Sequence, residues 1–124
     1  LIDIDFFKKV NDEFGHEAGD RVLVHMASVL KSTVRETDYV IRWGGEEFLI
    51  IMPGCSIENA EKIAEKLREK VETSDNGVCR CTISIGVAEY TGGDYINTVK
   101  NADVALYEAK NSGRNKVVVY TPKA

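Results

Sequence analysis

A glycine pair set between two strand-like apolar runs constrains this chain more than any other feature. Gly44-Gly45 lies between Tyr39–Trp43 and Phe48–Met52, both rich in β-branched, aromatic and aliphatic side chains. Glycine tolerates the positive φ of a two-residue hairpin loop, so the segment predicts an antiparallel hairpin. Glu46 and Glu47 follow the pair, which puts two carboxylates at the expected tip. A second acidic pair, Asp3 and Asp5, alternates with Ile2, Ile4 and Phe6 at the period of a strand. If both segments join one sheet, four carboxylates converge.

Like charges about 4 Å apart repel by about 4 kcal/mol at an effective dielectric of about 20. Such a cluster therefore takes up protons or binds a cation. Hard oxygen ligands select Mg²⁺ or Mn²⁺, and Mg²⁺ held by one or two carboxylates, with substrate phosphates filling its octahedron, is the usual arrangement for nucleotidyl and phosphoryl transfer. The competing reading is a hairpin of solvated glutamates, which is common in proteins without any such activity.

Helical spacing fills the rest of the chain. Phe7, Val10 and Phe14 predict a helix stopped by a left-handed Gly15. Val22, Met26, Val29 and Thr33 predict a second helix to about Thr33. Ser56 is a good N-cap for a third, with Ile57, Ala60, Ala64, Leu67 and Val71 recurring before Asp75-Asn76-Gly77 ends it. Cys79–Tyr90 reads as a strand, Ile96–Asn111 as a helix with Val99, Ala102, Leu106 and Ala109 inward, and Lys116–Tyr120 as a final strand. The sum is a β-α-α-β-β-α-β-α-β order: an α+β protein with a central, largely antiparallel sheet flanked by helices.

At 124 residues the chain is expected to form one domain. A net charge of −4 argues against a broad basic face for duplex nucleic acid, so the expected ligand is small. The three cysteines fit a reducing compartment. Cys79 and Cys81 alternate with Ile83, Ile85 and Val87, which favours core packing over metal binding. With no apolar run long enough for a bilayer and no secretory signal, the chain reads as cytoplasmic, although a full-length parent can carry a membrane anchor.

Joined together, these segments resemble the GGDEF domain family, the diguanylate cyclases, in its Gly-Gly-Glu-Glu-Phe form. Asp3-Ile4-Asp5-Phe6-Phe7-Lys8, Asn11-Asp12, Gly15-His16, Gly19-Asp20, Arg42-Trp43-Gly44-Gly45-Glu46-Glu47-Phe48, Ser84-Ile85-Gly86-Val87, Ala102-Asp103 and Ala109-Lys110-Asn111-Ser112-Gly113-Arg114-Asn115 fall in the family's order through nearly the whole chain. The resemblance implies a ferredoxin-like, polymerase-palm-like core. It also implies condensation of two GTP molecules into cyclic di-GMP with release of two pyrophosphates, in a homodimer whose subunits each hold one nucleotide.

By the same resemblance, Asp3 and Glu46 bind two Mg²⁺ or Mn²⁺ ions with the carbonyl of Ile4, Glu47 can join them, and Glu46 accepts the 3′-hydroxyl proton. Asp5 is expected to be structural or to support the ligands. The amides of Phe6 and Phe7 at a helix N-terminus suit the β- and γ-phosphates, and Lys8 adds positive charge beside the leaving pyrophosphate. Asn11 and Asp20 read guanine, for which an amide and a carboxylate have suitable donors and acceptors; Asp20 is alternatively a helix cap. His16 lies near the nucleotide pocket, and Lys110 and Arg114 close the phosphate site.

Arg35 and Asp38 match the family's product-inhibition site, with Lys62 or Lys66 where relatives often offer a second arginine. The usual preceding helix is missing, because the chain opens inside the metal strand; weakened cyclase activity is therefore expected, and any sensor domain belongs to a longer parent. The alternative is a catalytically silent module that binds GTP or cyclic di-GMP.

Overall fold

The computed structural model describes residues 1–122. Its elements are β1 (Ile2–Ile4), α1 (Phe7–Phe14), α2 (His16–Thr33), β2 (Tyr39–Gly44), β3 (Glu47–Ile51), α3 (Ile57–Thr73), β4 (Ile83–Val87), α4 (Tyr95–Asn111) and β5 (Val117–Val119). The predicted order holds, and the sheet runs β2-β3-β1-β4-β5. All neighbours are antiparallel except β4 and β5, which run parallel because α4 carries the chain across between them.

The period-2 pattern of β1 divides the molecule. Ile2 and Ile4 join Phe48, Ile83 and Ile85 under α2 and α3, whose Val22, Met26, Leu30 and Leu67 are buried in the same core. Each such side chain contributes about 1.5–3 kcal/mol on burial. Leu1 faces the opposite way and joins Ala102 and Leu106 of α4. The α4 helix lies close against the sheet at Gly86, where a Cβ would stand 2.1 Å from the carbonyl oxygen of Ala102.

Several expectations change. The two loop residues of the hairpin are Gly45 and Glu46, while Gly44 still pairs with Glu47 across an irregularity after Arg42. Gly45 alone of the pair has positive φ, at 27°. Only Glu46 therefore stands at the tip, and Glu47 belongs to β3. Gly15 has φ 89° and ψ 165°, an extended glycine conformation rather than the left-handed helical stop. Phe14 is 49% exposed, because the chain turns at Gly15 directly after it and starts α2.

The expected strand from Cys79 to Tyr90 shortens to Ile83–Val87. Its partner β1 offers only Ile2–Ile4, and the Asn76 side chain accepts hydrogen bonds from the amides of Val78 and Cys79 at 2.8 and 3.0 Å. That loop consumes backbone donors a ladder would need. Cys81 is still buried in the core and Cys79 packs against it. The third helix does begin at Ser56, whose hydroxyl accepts from the amide of Asn59 at 3.2 Å.

Candidate active site

Asp3 occupies the middle of β1, opposite Glu47 on one side and Ser84 on the other. Alternation turns it away from Ile2 and Ile4, toward the α4 face. There Lys110, in the last turn of α4, ion-pairs with Asp3 Oδ2. Asp3 Oδ1 is buried and has no hydrogen-bond partner. Burial raises the Asp3 carboxyl above its ordinary range, Lys110 opposes the rise by hydrogen bond and charge, and Glu46 and Asp5 add to it. Glu47 is raised as well, first by burial and then by Asp3 directly opposite.

The hairpin delivers Glu46 to this acid. Its carbonyl accepts from the amide of Ile4 at 3.3 Å, locking the tip against the end of β1. Arg42 holds the turn from its other side, with guanidinium donors 3.1 and 2.8 Å from the carbonyl of Gly45. Sequence reasoning quoted Arg42 but gave it no role; its place three residues before Gly45, at the foot of the loop, was the available signal.

The four carboxylates do not form one ready-made cluster. Among the described residues no three His, Cys, Asp or Glu side chains converge as a metal site. Asp5 instead accepts from Thr82 Oγ1 at 2.7 Å, Ser84 Oγ at 2.6 Å and the amide of Asn115 at 3.0 Å. Glu47 borders a hollow of about 310 Å³ with Trp43, Tyr95 and Asp103. Asp3 and Glu46 remain adjacent, and a buried carboxylate oxygen without a donor, charge-coupled to a second acid, fits a hard divalent cation. Lys110 would yield Asp3 to it.

Beyond β1 the backbone turns sharply. Phe6 is left-handed, with φ 56° and ψ 33°, and precedes α1, whose N-terminus has neither a side-chain cap nor an acidic residue in its first turn. Such an end attracts anions. Phe7 is buried as its anchor, whereas Lys8 and Phe6 are exposed. The Arg114 guanidinium sits 4.6 Å from the centre of the Phe6 ring, which places a cation over this helix end. Lys110, expected beside the phosphates, pairs with Asp3.

Arg114 and Asn115 are consecutive left-handed residues, φ 62° and 48°. Non-glycine residues stay there only when their surroundings hold them. Asp5 does so through the Asn115 amide, and the Asn115 side chain bridges Arg68 and Glu72 at 3.1 and 2.5 Å.

Asn11 in α1 lies against Gly19 of α2, because the chain doubles back at Gly15 between the two helices. A Cβ at Gly19 would meet Asn11 Oδ1 at 1.9 Å, so glycine is what lets that amide lie against α2. Asp20 is exposed and lies four residues inside α2, so it is not that helix's N-cap. His16 opens α2 and is also exposed.

Arg35 and Asp38 bind each other. The guanidinium donates to Asp38 at 2.6 and 3.0 Å and to the Pro53 carbonyl at 3.0 Å, and Asp38 caps the amide of Arg35 at 2.9 Å. These hydrogen bonds hold the Asp38 carboxyl below the usual carboxylate range.

Fold and site together define an α+β palm-type domain that sets a carboxylate pair beside an anion-receptive helix end. The chain belongs to the GGDEF domain family: the family model described as "Diguanylate cyclase, GGDEF domain" matches residues 1–116. It is 47% identical over 120 residues to diguanylate cyclase DgcM of Escherichia coli K12 and 49% identical over 126 residues to response regulator PleD of Caulobacter vibrioides. Each alignment takes in 95% of this chain but only 29% and 28% of those proteins. The active GGEEF domain of a diguanylate cyclase from Vibrio cholerae superposes with TM-score 0.90 at 32% identity, covering 98% of this chain and 81% of that one. The GGDEF domain of Caulobacter crescentus DgcB in complex with c-di-GMP superposes with TM-score 0.88, also at 32% identity, over 96% of this chain and 74% of that one. No helix among the described residues is long and apolar enough to cross a membrane.

Proposed function

We propose that this chain is the catalytic domain of a diguanylate cyclase, joining two GTP molecules into cyclic di-GMP. The observation that carries the reading is the unpartnered Asp3 Oδ1, buried beside Glu46 and one turn of chain from the uncapped start of α1. Triphosphate placed at that end meets the Phe6 and Phe7 backbone, with Lys8 and Arg114 as flanking cations. Asn11 and Asp20 read the guanine edge, with His16 beside them.

In each half-reaction the 3′-oxygen of one nucleotide bonds to the α-phosphorus of the other, the bond to the bridging oxygen breaks, and pyrophosphate leaves. Glu46 takes the hydroxyl proton. Asp3, Glu46 and the Ile4 carbonyl, with Glu47 in reach, would hold divalent ions, which would supply charge neutralisation and make the hydroxyl easier to deprotonate. A second copy must present the facing nucleotide, since one site supplies only one of the two. Arg35 and Asp38 are the candidate product-inhibition pair; binding guanine there requires their mutual ion pair to open.

Calorimetry with GTP, its non-hydrolysable analogue and cyclic di-GMP, each with and without Mg²⁺, tests the assignment. Uptake of GTP that depends on Mg²⁺ and is lost in Asp3→Asn supports it. Uptake of cyclic di-GMP alone would replace it with a receptor role, and no uptake of any of the three would end both.

A further inference from the structure

Cys79 and Cys81 take no part in the nucleotide site. Their sulfurs lie 3.7 Å apart, and neither is in a disulfide. The loop explains this approach. Asn76 binds the amides of Val78 and Cys79 and bends the backbone ahead of β4, while Cys81 is anchored in the core at 6% exposure. Cys79, only half-buried, borders an open hollow of about 510 Å³ beside Ser74 and Arg80. One thiol is thus reachable and the other waits behind it.

We propose that Cys79 and Cys81 form a reversible dithiol–disulfide site for low-molecular-weight disulfides of the glutathione type. The Cys79 thiolate attacks one sulfur of the small disulfide, forming a mixed disulfide and expelling one thiolate. Cys81 gives its proton to solvent and attacks Cys79 Sγ, which closes the protein S–S bond and expels the second thiolate. The protein loses two electrons and two protons, and the small disulfide gains both as two thiols.

The environment orders these steps. Burial, with the neighbouring Cys79 thiol, pushes the Cys81 thiol up to about 11, so Cys81 is the resolving and not the attacking group. Closure needs the sulfurs to move from 3.7 Å to about 2.05 Å. The irregular segment holding Cys79 can supply that motion. A ring enclosing only Arg80 is strained in the folded and unfolded chain alike, and strained disulfides are the readily reduced kind. Thr82 follows Cys81 directly, and its hydroxyl and carbonyl hold Asp5, so closure pulls on the loop that supports Arg114.

The test equilibrates the whole chain with set ratios of oxidised to reduced glutathione, blocks remaining thiols with N-ethylmaleimide and weighs the peptides. The 79–81 peptide is expected to be two hydrogens lighter and unblocked, reverting on reduction, with Cys55 as the internal comparison. Cys81→Ser is expected to stall as a glutathione adduct on Cys79, and Cys79→Ser, the substitution nearer the surface, to take no glutathione on Cys81 while folded. The folded chain should close the bond at an oxidant ratio about tenfold below that needed by the urea-unfolded chain, since geometry and not spacing brings the thiols together. Equal closure in both states would overturn the proposal, and so would a wild-type Cys79 adduct as persistent as that of Cys81→Ser or a pair blocked as completely as Cys55.

Discussion

Asp3 is asked to do two incompatible things, to stay charged and to stay buried, and Lys110 is the residue that reconciles them. Lys110 is about a third exposed while Asp3 is almost fully covered, so the pair's contribution is below that of a fully buried one. Lys110→Ala is expected to lower stability by about 1–3 kcal/mol in metal-free buffer. Adding Mg²⁺ should then raise the melting temperature more in the variant than in the wild type, because the competing ammonium is gone. Scanning calorimetry with and without Mg²⁺ checks this, and an equal rise in both would mean that the ion does not bind at Asp3.

Gly19 poses the opposite kind of problem, a missing atom. An alanine methyl there collides with Asn11 Oδ1, the end of a flexible side chain that can swing aside. Gly19→Ala should therefore leave the melting temperature nearly unchanged and weaken guanine nucleotide binding about tenfold, a loss of about 1.4 kcal/mol. Calorimetric titration with the GTP analogue reads both quantities. An undiminished affinity would remove Asn11 from the guanine site.

Elements set how closely these residues can be held. The contact between β4 and α4 is backbone against backbone: a Cβ at Gly86 meets Ala102 O at 2.1 Å and Leu106 N at 2.4 Å. Neither atom can rotate away. Gly86→Ala is expected to cost about 1–3 kcal/mol or more and to move Lys110 with its helix, which chemical denaturation will measure. At the junction of α2 and β2, Arg35 holds the Asp38 carboxyl below its ordinary range. A depressed folded value means that the pair stabilises at neutral pH and that its contribution fades as pH falls through that value. Carboxyl NMR should show Asp38 titrating below the ordinary carboxylate range, and Arg35→Ala should return it there.

The elements were largely legible because apolar spacing reports them directly: Ala64, Leu67 and Val71, or Ala102, Leu106 and Ala109, are buried where their period puts them. What was not legible depended on partners distant in sequence. The length of β4 is set by a three-residue β1, and the turn shift to Gly45-Glu46 by a bulge after Arg42. In the site, the Asp-x-Asp pattern marks Asp3 and Asp5 alike. Only tertiary contacts separate them, giving one an orphaned oxygen and the other three donors from Thr82, Ser84 and Asn115.

At the scale of the whole molecule the proposed reaction cannot be completed by one chain. Each copy offers one carboxylate pair and one uncapped helix end, whereas cyclic di-GMP needs two bonds made between two nucleotides. If each Glu46 accepts the proton of the nucleotide on its own subunit, a dimer with one Glu46→Gln subunit makes the first bond and stops. It should release one pyrophosphate and a linear dinucleotide. Mixing wild type with Glu46→Gln under conditions of free subunit exchange should then lower cyclic product as the square of the wild-type fraction, with linear product greatest at intermediate mixtures. Chromatography of the products against mixing ratio makes the measurement. A fall in direct proportion to the wild-type fraction, with no linear species, would mean that a single subunit suffices and that the facing copy contributes no chemistry.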